Sequence, residues 1–89
     1  SVIASLNYGI LLRRGEMVTD SVRILKALAE VWSGSPLVDY HLARSHEAAG
    51  DPRAARERFL LAADEEADPA LAEVFRREAA RMLELEVKS

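Results

Sequence analysis

The residues best equipped for chemistry are few. The chain carries two histidines, His41 and His46, and no cysteine. On a helix, residues five apart stand about 140° apart around the axis. A pair of imidazoles that shares a metal needs i, i+4 spacing, and a structural zinc needs four ligands. The pair is therefore read as two unrelated residues, His46 partly buried in packing and His41 on the surface. Absence of cysteine excludes disulfides, thiolate nucleophiles and cysteine-ligated zinc. Ser45 precedes His46 directly, but adjacent helical side chains point apart, so no serine–histidine pair can be assembled there. The acidic run Asp64-Glu65-Glu66 with Asp68 lacks the spaced oxygen ligands and the central glycine of a calcium loop. It falls at a helix C-terminus, where carboxylates oppose the macrodipole, and is read as a solvated end. Arg53, Arg56 and Arg58, then Arg76, Arg77 and Arg81, are interleaved with Glu57 and Glu78. That mixing describes a solvated face laced with ion pairs, not a phosphate site. With no glycine-rich phosphate loop either, the expectation is a non-enzyme without metal or cofactor.

Composition narrows the class further. The chain has 89 residues, 49% hydrophobic and 30% charged: one small folded domain, too apolar for disorder. Its net charge of −3 gives no surplus of cations for nucleic acid. By region, residues 1–34 carry +4 and −3, residues 35–68 carry +4 and −8, and residues 69–89 carry +4 and −4. The acidity sits in the centre and would weakly attract a basic partner. No run reaches the roughly 18 apolar residues of a membrane span. The apolar stretch from Val2 to Leu12 lacks the basic flank and cleavage pattern of a signal peptide. Soluble placement in cytoplasm or periplasm is expected, without a choice between them. Because Ser1 already stands in a helical pattern, the chain reads as a piece of a longer protein.

Chain punctuation defines the elements. Three prolines each follow a good N-cap: Ser35-Pro36, Asp51-Pro52 and Asp68-Pro69. A serine or aspartate oxygen accepts from the free N–H groups of the first turn, and proline at the next position lacks only an N–H that would be unpaired anyway. Gly15 and Gly50 mark helix ends, and Thr19 is a plausible cap for a helix beginning near Asp20. With Ala, Leu, Glu and Arg filling the segments and no alternating strand pattern, five helices are expected, near 2–14, 20–32, 36–49, 52–66 and 69–86. Connections this short force antiparallel neighbours. The apolar stripes are Val22, Leu25, Leu28, Ala29 and Trp32; then Ala55, Phe59, Ala62 and Ala63; then Leu71, Val74, Phe75, Ala79, Met82 and Leu85 or Leu83. All are read as core.

The chain also resembles itself. At an offset of 35, Gly15-Glu16 meets Gly50-Asp51, Ile24-Leu25 meets Phe59-Leu60, and Ala27 meets Ala62. Gly9 stands six residues before Gly15 and Ala43 seven before Gly50, so the first copy has either a turn one residue short or a drifted pattern. The second copy, from Pro36 through Leu42-Ala43, Gly50-Asp51, Ala55 and Phe59 to Ala62, resembles a tetratricopeptide repeat, whose period is about 34 residues. Leu42 and Ala43 match its helix-crossing pair. Ala55, Phe59 and Ala62 match the small, aromatic and small positions of its second helix. Asp39 replaces the family's first aromatic, and His46 its tyrosine.

That resemblance implies an all-α superhelix: a degenerate repeat over 1–34, a repeat over 35–68 and a capping helix over 69–89. It implies a protein- or peptide-binding scaffold, with the groove lined by the first helix of each repeat. Carried onto the second repeat, the groove positions are Leu37, Tyr40, Arg44 and Glu47, recurring at three- and four-residue spacing along one helix face. The family's carboxylate clamp of lysine and asparagine is not matched, since His41 and Arg44 occupy that stretch. Asn7-Tyr8-Gly9-Ile10-Leu11-Leu12, Gly15-Glu16 and Tyr40-His41-Leu42-Ala43 look like the C-terminal repeats of bacterial tetratricopeptide proteins attached to exopolysaccharide and protein-sorting systems, which implies an envelope-associated scaffold. The alternative is a structural element that self-associates through its end helices, with Phe75 as the end-helix contact.

Overall fold

A computed structural model describes residues 1–88 as five α-helices and no strand. They are α1 (Val2–Arg14), α2 (Val18–Val31), α3 (Pro36–Ala48), α4 (Pro52–Glu65) and α5 (Pro69–Lys88). Ser89 lies outside the described residues. The fold is all-α, as the composition and punctuation predict. Consecutive helices pack on one another, and α1 also reaches α3.

The predicted caps operate. Ser35 Oγ accepts from the Val38 N–H at 3.3 Å and Asp51 Oδ1 from the Ala54 N–H at 3.2 Å, each with proline inside the first turn. Ser1 does the same for α1. The second helix departs from expectation. It begins at Val18, with Met17 as an N-cap that offers no side-chain bond, and Thr19 lies within its first turn. Trp32, expected in the core, ends α2 and is 43% exposed.

Helix boundaries repeat with a spacing of 34. Val2 and Pro36, Arg14 and Ala48, Val18 and Pro52, and Val31 and Glu65 are corresponding ends. This replaces the offset of 35 read from the glycines. Both first turns contain three residues, and the left-handed position is Glu16 (φ 67°) in the first and Gly50 (φ 80°) in the second. The closing bonds match too: Met17 N–H to Leu12 O at 2.8 Å, Asp51 N–H to His46 O at 3.0 Å. The first copy's turn is therefore of full length, and Gly50 corresponds to Glu16, not Gly15.

The same spacing orders the core. Leu25 corresponds to Phe59, and both are fully buried. Ser21 corresponds to Ala55, and Gly9 to Ala43, all buried. A Cβ at Gly9 would lie 2.5 Å from Leu25 Cδ2, so α1 and α2 cross where only glycine fits. Leu6, Leu25, Leu28, Ala29, Val38 and Leu42 form the core of the first three helices. Ala43, Ala55, Phe59, Ala79 and Met82 form that of the last three.

In α5 the buried side is Ala72, Phe75, Ala79 and Met82; Leu71, Val74, Leu83 and Leu85 of the expected stripe are exposed. Helices α3 and α4 cover an arc narrower than the helix's apolar arc. Phe75, at 4% exposure, faces Ala62 and Ala63 and is not an end-surface contact.

Candidate functional site

Helices α1 and α5 each reach α3, α1 through Arg13 and α5 through Phe75 and Arg81, and the four groove positions predicted on α3 are in unequal states. Leu37 is 52% exposed. Tyr40 is half-buried: its ring stands 5.9 Å from Phe59 of α4 and 5.3 Å from Phe75 of α5, centroid to centroid. It belongs as much to the core as to a groove, because α5 closes over it. Arg44 donates to the Tyr40 hydroxyl at 3.4 Å and stands 3.7 Å from Glu47. Glu47 accepts from Arg81 of α5 at 2.9 Å. The face is thus braced across α3 and α5, and its free apolar element is Leu37.

What the sequence reading missed is Arg13. Its guanidinium reaches from the end of α1 to α3, donating to the His41 carbonyl at 3.0 Å and to Ser45 Oγ at 3.3 Å. It also stands 3.3 Å from His41 Nδ1. Beneath it, Ser45 and Ser21 hydroxyls lie 2.7 Å apart, and Ser21 donates to the Gly9 carbonyl at 2.6 Å. Each hydroxyl has one proton, so only one ordering satisfies all contacts. Arg13 donates to Ser45, Ser45 to Ser21, and Ser21 to the helix-crossing carbonyl of Gly9. This thread fixes the guanidinium against α3. Neither a 3.6-residue period nor a motif signals it, since its members come from three helices.

Charge around that guanidinium is mainly positive, Arg14 and Arg44 against Glu47. Arg13, Arg14, Arg44, Glu47 and Ala48 line an open recess of about 300 Å³. Burial, then the neighbouring Arg44, lowers the Arg13 pKa. His41, expected on the surface, is half-buried; burial, then Arg13 and Arg44, depress its pKa to about 4. The imidazole is neutral at physiological pH, which suits Nδ1 as acceptor for Arg13. His46 is half-buried, its pKa lowered mainly by burial.

A second polar cluster is centred on Asp39. Asp39, 3% exposed, accepts from Arg58 Nη1 at 3.0 Å. Glu65 Oε1 is buried with no donor in reach. Burial, then the hydrogen bond and charge of Asp39, push the Glu65 carboxyl up to about 7. A proton held on Glu65 toward Asp39 satisfies both carboxyls. This pair belongs to the α3–α4 interface. Of the carboxylates of the acidic centre, Asp39 is engaged by Arg58 and Glu47 by Arg44 and Arg81.

No helix of the described residues is long and apolar enough to cross a membrane. Comparison with protein-family models, with curated proteins and with solved structures yields no match to this chain.

Proposed function

We propose that this chain is a non-enzymatic protein-interaction module of tetratricopeptide type, which takes a peptide or protein segment along the face of α3 that carries Leu37 and Arg44. The observation that carries the reading is the 34-residue recurrence of helix ends and left-handed turns. A recurrence of this length is the mark of a stacked helical array, in which each unit buries its apolar face on the next. Leu37 and Arg44 stay accessible on that face, and aromatic and arginine residues are the usual anchors of interfaces. The bacterial envelope setting rests on the narrower sequence resemblance alone. The test is selection from a random 12-mer peptide library displayed on phage. Enrichment of related sequences, weakened about tenfold or more by Arg44→Ala, supports the reading. Failure to enrich any sequence removes it.

Self-association through the ends is a second reading with its own support. Val2, Ile24, Ala27, Leu28 and Val31 line an open apolar groove between α1 and α2, where Val31 is 85% exposed. At the other end Leu83 and Val87 of α5 are exposed. Sedimentation that stays monomeric to millimolar concentration would dismiss it, whereas a dimer lost in Val87→Glu or Val31→Glu would favour it.

A further inference from the structure

Ten arginines are present, and eight of them, Arg23, Arg44, Arg53, Arg56, Arg58, Arg76, Arg77 and Arg81, have a carboxylate within 4.0 Å. Arg13 and Arg14, adjacent in sequence, have none among the described residues, and both line the recess beside Arg44. Arg13 is held by neutral acceptors alone. The carboxylate at the recess, Glu47, already serves two cations, Arg44 at 3.7 Å and Arg81 at 2.9 Å. A half-buried cation without a counter-charge is costly, and the cost is relieved by an anion that supplies charge-assisted hydrogen bonds. In a chain of net charge −3, these two arginines without a carboxylate stand side by side.

We propose that the Arg13–Arg14–Arg44 recess anchors an acidic side chain, aspartate or glutamate, of a partner polypeptide. This rests on the peptide-binding reading and adds the chemistry of the ligand. Charge complementarity selects the anion. A polyanion such as nucleic acid is disfavoured by the chain's net charge of −3. Exposed Leu37 lies seven residues from Arg44 on the same helix, about 10 Å along its axis. An extended peptide covers that distance in about three residues. The ligand is therefore a segment with one acidic residue and one apolar residue about three positions apart.

The phage selection is run in parallel on the wild type and on Arg14→Glu. Arg14 is exposed, so the variant folds, as circular dichroism will verify. Lys26→Glu, a charge reversal on α2, is the control. The wild-type and control pools are expected to be enriched in Asp and Glu, and the Arg14→Glu pool not. A synthetic wild-type binder should lose at least tenfold in affinity when its acidic residue becomes Gln, and its affinity should fall with added NaCl. If pools are obtained but carry no acidic residue, or Arg14→Glu retains the same pool, the anchoring site is overturned while the peptide-binding reading stands. If no pool is obtained from any form, both fall. If phosphoserine in place of the acidic residue binds tenfold tighter, the recess is a phosphate site and the carboxylate assignment is overturned.

Discussion

Glu16 shows how a single residue can misplace a whole repeat. It holds a left-handed backbone, φ 67°, in the turn between α1 and α2. A side chain in that conformation costs about 1–2 kcal/mol, and glycine relieves it at some cost in unfolded-chain entropy. Glu16→Gly should therefore raise stability by about 0.5–1 kcal/mol, read as a higher urea midpoint at unchanged m-value. Glycine is the main one-letter signal of a left-handed residue; where glutamate occupies the site the signal vanishes, and Gly15 next to it attracts the alignment instead. Two titrating residues give a second test. His41 is depressed to about 4, so it favours the neutral form when folded, and stability falls as pH drops from 6.5 toward 4. Glu65 is raised to about 7, so the folded state holds its proton more tightly, and stability rises as pH drops from 7 toward 4.5. The two oppose each other between pH 7 and 5. His41→Gln should gain melting temperature on acidification across that window, and Glu65→Gln should lose it. Profiles that stay parallel to the wild type in both variants would contradict this assignment.

At the scale of elements, the buried set of α4 was legible because all its members follow one period and face covered neighbours. Ala55, Phe59, Ala62 and Ala63 are buried as the stripe predicts. Phe59→Ala should cost about 3–5 kcal/mol, as for other buried phenylalanines, against a total of order 5–15 kcal/mol for a domain. Thermal or urea unfolding measures it, and an unchanged midpoint would remove Phe59 from the core. Helix α5 was less legible. Period identifies an apolar arc but not its covered part; Val74 and Leu83 lie on opposite flanks of the arc centred near Phe75 and stay 45% and 49% exposed. Tyr40 illustrates the converse. Spacing placed it on the outward face of α3, yet α5 crosses that face, and a helix wheel contains no information about a neighbour arriving 30 residues later. The two unpaired arginines of the recess escaped for the same reason. Their partners, or the lack of them, are set by α3 and α5 rather than by their own helix.

Considered as a whole, the chain is a linear stack in which each helix touches mainly its sequence neighbours. In such arrays the end unit is held on one side only and tends to open first. The hydroxyl thread from Arg13 through Ser45 and Ser21 to Gly9 bears on that tendency. It joins the end helix to the third through Ser21 of the second, so α1 cannot lift away without leaving buried serine hydroxyls unsatisfied, at about 1–3 kcal/mol for each group. The timing of amide deuteration is the observable. Amides of α1 should exchange nearly as slowly as those of α3. In Ser21→Ala, which keeps the shape found at Ala55 but removes the bonds to the Gly9 carbonyl and to Ser45, α1 should exchange tens-fold faster while α4 is unaffected. The thread then acts as a latch that synchronises the opening of the first and third helices, so that a partner gripping one would slow deuterium uptake in both.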